Sequence, residues 1–276
     1  MRAAAVQLNS QEDKQRNLDV AERLVRDAAR DGAELVCLPE RWNLLGDSAA
    51  ILDGAEPLDG PSLSAARSWA SELGIHLLAG SIAERAEGHE RLFNTSVLIG
   101  PDGEDVAAYR KIHMFDVEVE GTTFRESDHD QPGEEIVTAS LDDLELGLTV
   151  CYDLRFPELY RILAVRGARV IAVPSAFTVP TGRAHWEVLL RARAIENQAF
   201  VVAPDQIGEA PPQFESYGHS AIVDPWGVVL AMAPDEECFV AADLDLAEQQ
   251  RMREKLPALA NRRPGAYRWP EEVGVG

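Results

Sequence analysis

The stretch Leu146-Gly-Leu-Thr-Val-Cys-Tyr-Asp-Leu-Arg-Phe-Pro-Glu158 changes character at one residue. Up to Val150 it is a short apolar run, the pattern of a buried strand. After Cys151 it turns polar, and Pro157 sits at the first turn of a helical pattern that stops before Gly167. A strand that passes into a helix through a tight turn is a building unit of α/β proteins. The turn also holds Cys151 rigidly at a sheet edge, where a helix N-terminus favours thiolate over thiol. An inert buried cysteine would read the same way as far as Val150. The polar Asp153, Arg155 and Glu158 that follow argue for a site.

Outward from this point, the periodicity predicts strands over 2–8, 34–40, 75–82, 94–99, 106–110, 135–139, 144–150, 170–173, 200–203, 217–223, 228–232 and 239–243. Helices are expected over 11–31, 61–73, 184–197 and 245–255. Residues 111–134 are charged, contain glycine and lack a period, and they read as a long loop of the kind that carries function. Strand–helix alternation followed by hairpins means α/β, with two sheets or one large mixed sheet covered by helices. No repeat, linker or shift in composition divides the chain, so one domain over 1–276 is expected.

Charge narrows the function. Lys and Arg total 26 against 47 Asp and Glu, a net charge of −21. Such a field repels phosphate backbones and argues against nucleic acid as a partner. Only Lys14, Lys111 and Lys255 are lysines, which fits either a salt-rich cell or a GC-rich genome. The three cysteines, Cys37, Cys151 and Cys238, form no C-x-x-C, which excludes a disulfide scaffold and points to a reducing cytoplasm. Residues 1–8 turn polar too early for a secretion signal, and no apolar run approaches the length of a membrane span. The six histidines show no metal-ligand spacing, so no metal is expected. Phosphate-binding glycine motifs and G-x-S-x-G are absent too.

Two further residues could join Cys151. Glu40 ends the apolar run Leu35-Val-Cys-Leu-Pro39, at the strand end where open α/β sheets bind ligands. An exposed loop glutamate would look alike. Lys111 ends the run before Ile112-His113, where a solvated charge beside Arg110 is the alternative. His185-Trp-Glu187 opens a helix and fits packing and capping as well as it fits a site.

Together, Leu38-Pro-Glu40, Tyr109-Arg-Lys-Ile-His113 and Val150-Cys-Tyr-Asp-Leu-Arg-Phe-Pro-Glu158 resemble the carbon–nitrogen hydrolases of the nitrilase superfamily. The resemblance spans nearly the whole chain. It extends to Gln7-Leu8, Gly218-His-Ser220 and Asp224-Pro-Trp-Gly227. The stretch from Ala184 to Glu196, with Tyr217-Gly-His-Ser220, resembles the Nit branch, which includes deaminated-glutathione amidase and ω-amidase.

That resemblance implies a four-layer αββα sandwich and subunits that pair as homodimers or higher oligomers. It implies a catalytic triad of Glu40, Lys111 and Cys151, assisted by Glu126 in Phe124-Arg-Glu-Ser127. Tyr152 would lend its backbone N–H to an oxyanion, and Arg155 would bind a substrate carboxylate unless it pairs with Asp153 or Glu158. Ser175, His185 and Glu187 would line the pocket. The implied reaction is cofactor-free hydrolysis of a small carboxylate-bearing amide through a cysteine thioester. Deaminated glutathione is the expected substrate, ahead of α-ketoglutaramate. An aliphatic amide, nitrile or N-carbamoyl amine would suit the same superfamily. A papain-like hydrolase using His113, His185 or His219 lacks its flanking signature. A non-enzymatic binding protein would not need all three triad residues.

Overall fold

The computed structural model describes residues 1–119, 121–142, 144–210 and 214–267. Seven strands form one sheet. Cys238–Asp243, Arg2–Gln7, Leu35–Cys37 and His76–Leu78 lie side by side, and His76–Leu78 pairs next with Phe93–Ile99. Phe93–Ile99 also pairs with Ile82–Glu84 and Asp105–Arg110. Arg2–Gln7, Leu35–Cys37 and His76–Leu78 are parallel, as helical crossovers between them require. The second sheet has six strands, ordered Val229–Met232, Ala221–Val223, Phe200–Ala203, Ala168–Ala172, Leu144–Leu148, Thr138–Leu141. Its three middle-to-late strands, from Phe200–Ala203 to Leu144–Leu148, are parallel.

Alternation along the strands sorts the layers. Ala3, Ala5, Leu35 and Cys37 face Leu146, Leu148, Val170 and Ala172 of the other sheet in one shared core. Their neighbours Ala4, Val6 and Val36 pack instead with Leu24, Val25, Leu63 and Ala66 of the helices Lys14–Arg30 and Pro61–Leu73. Pro157–Val165 and Val179–Asn197 cover the far face of the second sheet through Leu159, Leu163, Trp186 and Leu190. The result is the expected αββα sandwich. No helix among the described residues is long and apolar enough to cross a membrane.

Several details differ from the sequence reading. The strand expected over 75–82 is broken at Gly80, whose φ is +39°. A Cβ there would stand 2.0 Å from the Pro39 carbonyl oxygen, so only glycine lets the end of the Leu35–Cys37 strand pass. The loop expected over 111–134 contains a hairpin, Asp116–Val119 with Thr122–Arg125, and a 3₁₀ turn, Glu126–Asp128. Residues 217–223 do not form one strand. Tyr217 closes a hairpin with Ile207, and Ala221–Val223 returns to the sheet. The helix Ser48–Gly54 was not expected, and the helix expected from residue 184 begins at Val179, with Pro180 in its first turn.

Candidate active site

The ends of strands from both sheets bring Glu40, Lys111 and Cys151 to one cavity of about 390 Å³. Glu40 follows the strand Leu35–Cys37, and Arg41 turns the chain sharply with φ +56°. Two bonds pin that turn: Arg41 N–H donates to Ser81 Oγ at 3.1 Å, and Gln206 Nε2 donates to the Glu40 carbonyl at 2.9 Å. Lys111 follows Asp105–Arg110, and its N–H donates to the Asn94 carbonyl at 2.9 Å.

Cys151 opens the 3₁₀ turn Cys151–Arg155 with φ +48°, and its N–H donates to the Pro174 carbonyl at 2.9 Å. A non-glycine residue held at positive φ is strained, and such strain clusters at functional sites. Asp153, fully buried, fixes the turn. Its carboxylate accepts Val150 N–H at 2.9 Å, Tyr109 Oη–H at 2.7 Å, and lies 2.7 Å from His113 Nδ1.

The polar groups form one network. Lys111 Nζ lies 3.0 Å from Glu40 Oε1 and 2.8 Å from Glu126 Oε2. Glu40 Oε2 accepts Ala176 N–H at 3.0 Å, and Glu126 Oε2 accepts Phe115 N–H at 2.7 Å. Asn94 Nδ2 donates to Glu40 Oε1 at 2.7 Å and to Glu126 Oε1 at 3.1 Å.

Burial, the largest single influence, would raise the Glu40 carboxyl, but the Lys111 charge and the hydrogen bonds from Cys151 and Lys111 together outweigh it, and the net direction is down. Burial alone would lower the Lys111 ammonium. The charges of Glu126 and Glu40 outweigh that and hold it well above the usual lysine range. Burial first, and then the Glu40 charge, push the Cys151 thiol well up. This reverses the expectation of a thiolate favoured by a helix N-terminus. A five-residue 3₁₀ turn does not offset removal of the thiol from water. These directions favour a neutral thiol, an ionised Glu40 and a charged Lys111 in the free site. That arrangement can move a proton from sulfur to carboxylate as a bond to sulfur forms.

The structure sorts the remaining candidates. Glu126, Tyr152 and Arg155 line the cavity. Arg155 pairs with neither Asp153 nor Glu158, and among the described residues no carboxylate forms a salt bridge with it. Its guanidinium lies over the rings of Phe177 and Tyr152, 5.3 and 5.8 Å from their centroids. His185 is exposed, and its Nδ1 lies 3.2 Å from Arg155 Nη1, so it touches the site through Arg155 without lining the cavity. Glu187 does not reach the cavity. It lies on the outer face of its helix and pairs with Arg191 at 3.2 Å, while the buried residue of that trio is Trp186. Ser175 is fully buried and spends its hydroxyl on the Val173 carbonyl, so the wall here is Ala176 and Phe177. Asn94 escaped the sequence reading, although a polar side chain amid the buried Phe93–Ile99 run was a visible signal. Among the described residues no group of three His, Cys, Asp or Glu is arranged to hold a metal ion.

The chain as a whole is similar to known proteins. Residues 2–254 match the sequence model described as "Carbon-nitrogen hydrolase". Mouse ω-amidase NIT2 is 40% identical over 267 residues, covering 96% of each chain. Human deaminated glutathione amidase is 43% identical over 270 residues, covering 96% of this chain and 83% of that one. The crystal structure of the C. elegans NitFhit protein superposes with a TM-score of 0.90 at 36% identity, over 97% of this chain and 66% of that longer one. Saccharomyces cerevisiae Nit3, a member of branch 10 of the nitrilase superfamily, gives a TM-score of 0.87 at 31% identity, over 95% and 96% of the two chains.

Proposed function

We propose that this chain, an amidase that belongs to the carbon–nitrogen hydrolase family and to the Nit branch of the nitrilase superfamily, cleaves a small carboxylate-bearing amide through a thioester on Cys151. The observation that carries the reading is the convergence of Glu40 and Lys111, 3.0 Å apart, on the cavity that Cys151 lines. The whole chain serves this chemistry as a single domain.

An amide is a poor electrophile, and a thioester divides its hydrolysis into two easier steps. Cys151 Sγ attacks the carbonyl carbon while its proton passes to Glu40. The oxyanion that forms is stabilised by Lys111 Nζ and by Tyr152 N–H, which lies in the first turn of its helix, where N–H groups have no partner within the helix. The carbon–nitrogen bond then breaks, and Glu40 returns the proton to the leaving nitrogen. Water attacks the thioester and gives a proton to Glu40. The carbon–sulfur bond breaks, and the departing thiolate recovers that proton. Glu126 orients Lys111 throughout.

Arg155, facing the cavity with no ion-pair partner among the described residues, anchors the substrate carboxylate as a bidentate fork. The favoured substrate is deaminated glutathione, with α-ketoglutaramate, the smaller 2-oxo acid amide, second. The decisive experiment compares kcat/KM for these two and for uncharged butyramide. Deaminated glutathione should lead. If α-ketoglutaramate leads, the branch stands and the substrate is wrong; if butyramide leads, the carboxylate anchor is wrong.

The enzyme acts as a homodimer in the cytoplasm. Val188 and Ile195, exposed one above the other on Val179–Asn197, and exposed Trp226 support pairing through this apolar face. Three free cysteines suit a reducing compartment. Light scattering on a sizing column reads the oligomer directly.

A further inference from the structure

The site sets two carboxylates against one ammonium. Glu40 and Glu126 both accept from Lys111 Nζ, and both are largely withdrawn from water. Like charges in one poorly solvated pocket repel, and that repulsion works against an ionised Glu40. A neutral Glu40 could not take the thiol proton.

Asn94 answers this imbalance. It stands opposite Ala83 in the sheet, and its carbonyl accepts the Lys111 N–H at 2.9 Å, so strand pairing places it beside the lysine. Its Nδ2 donates to Glu40 Oε1 at 2.7 Å and to Glu126 Oε1 at 3.1 Å. Both amide hydrogens are thereby spent on carboxylates. Turned the other way, Oδ1 would face two negative groups, so charge fixes the amide's orientation. In the orientation found, Oδ1 is buried and has no hydrogen-bond partner. A residue kept for packing alone would not carry that cost, since leucine fills nearly the same shape without it.

We propose that Asn94 is a positioning residue of the reaction: its amide holds Glu40 and Glu126 in place, either side of the Lys111 ammonium, with Glu40 poised for the Cys151 proton. A neutral donor achieves this without adding a charge that competes with Lys111 for the oxyanion. Lys111, Cys151 and Asp205 face Glu40 from other segments and Arg41 from its own turn, and Asp130 faces Lys111 and pairs with Arg41. Replacing Asn94 changes none of these groups. Hydrogen bonds to a carboxylate favour its ionised form, so losing them must raise its proton affinity.

The inference rests on the reading of Glu40 as the base, and the test separates the two. The pH profile of kcat/KM is measured for the wild type, Asn94→Ala, Asn94→Asp and Glu40→Gln on the best amide substrate. With Asn94→Ala, kcat should fall about tenfold or more, KM should stay within about twofold, and the acid limb should move up by about one pH unit. Asn94→Asp, which adds a third carboxylate, should move it further. If the Ala variant melts before assay, the Asp variant of equal size carries the test. An acid limb that stays in place in a folded variant overturns the proposal, however much kcat falls. If Glu40→Gln is inactive in that case, the base reading survives. If Glu40→Gln turns over normally, both fall.

Discussion

The Asp153 carboxylate accepts the Tyr109 hydroxyl at 2.7 Å. Asp153 lies two residues past Cys151, and Tyr109 two residues before Lys111, so one buried bond ties the nucleophile's turn to the lysine's strand. Burial, followed by the Asp153 charge, pushes the Tyr109 phenol well above its ordinary range, which keeps it a donor. Tyr109→Phe removes this donor and leaves the carboxylate with Val150 and His113 alone. Urea unfolding should show a loss of about 1.5–3 kcal/mol, the usual range for a hydrogen bond to a charged group. Turnover should fall while substrate preference stays unchanged. An unchanged urea midpoint would mean that the bond clamps nothing.

Cys151→Ala should abolish turnover, and Lys111→Arg should lower it by about 100-fold or more with the fold intact. A planar guanidinium is too wide to replace a compact ammonium between Glu40 and Glu126. Iodoacetamide should modify Cys151, which lines the cavity, before Cys37, which is fully buried. The rate should climb with pH into the alkaline range, because burial and Glu40 push the Cys151 thiol up. Mass spectrometry of the alkylated peptides reads both outcomes. Normal turnover by Cys151→Ala ends the thioester mechanism.

Which parts of the site could be read in the sequence follows from how each residue is placed. Glu40 and Cys151 each follow a buried strand and Lys111 a half-exposed one; local patterning puts them at strand ends, and the resemblance carried by the stretches around them groups them as a triad. Arg155 closes the turn that Cys151 opens, four residues further on. Asn94 owes its position to register, opposite Ala83 and hydrogen-bonded to Lys111, which lies 17 residues further along the chain; no local pattern encodes that pairing. Asp116–Val119 and Thr122–Arg125 are mostly polar, half-exposed strands, so their alternation carries little apolar signal. Only the resemblance points Glu187 and Ser175 toward the pocket. Helix rotation turns Glu187 outward, and the strand end buries Ser175.

Asp205 should cost the enzyme stability at neutral pH. It is fully buried, it accepts Phe177 N–H at 3.0 Å, and its second oxygen has no partner. Burial, despite the Phe177 bond, holds its carboxyl well above the usual carboxylate range. A carboxyl whose proton affinity rises on folding supports the native state below its unfolded value, near pH 3.9, and that support is lost as pH rises toward the folded value. Asp205→Asn, which stays neutral, should therefore raise the urea midpoint at pH 7, with a smaller gain at pH 4. A gain that is the same at both pH values would show that the charge of Asp205 plays no part.

Salt should stabilise this protein. With 47 acidic residues and 26 basic ones, 21 carboxylates have no basic counterpart. The structure uses its arginines economically on the surface: Arg2 joins Asp31 and Asp243, and Arg26 joins Glu22 and Glu72. Exposed pairs of this kind contribute about 0–1 kcal/mol each, and salt weakens them. Salt also screens the repulsion among the surplus carboxylates. That repulsion acts over a Debye length of about 30 Å at 0.01 M and only about 3 Å at 1 M. The surplus is nearly as large as the whole basic complement, so relief of repulsion should outweigh loss of pairing. The melting temperature should rise from tens of millimolar to molar sodium chloride. Charge-reversing several exposed acids, such as Glu34 and Asp235, should flatten that rise. A melting temperature that is flat or falling in the wild type would mean that the surplus charge is already tolerated without screening, leaving a GC-rich genome as the source of the scarce lysine.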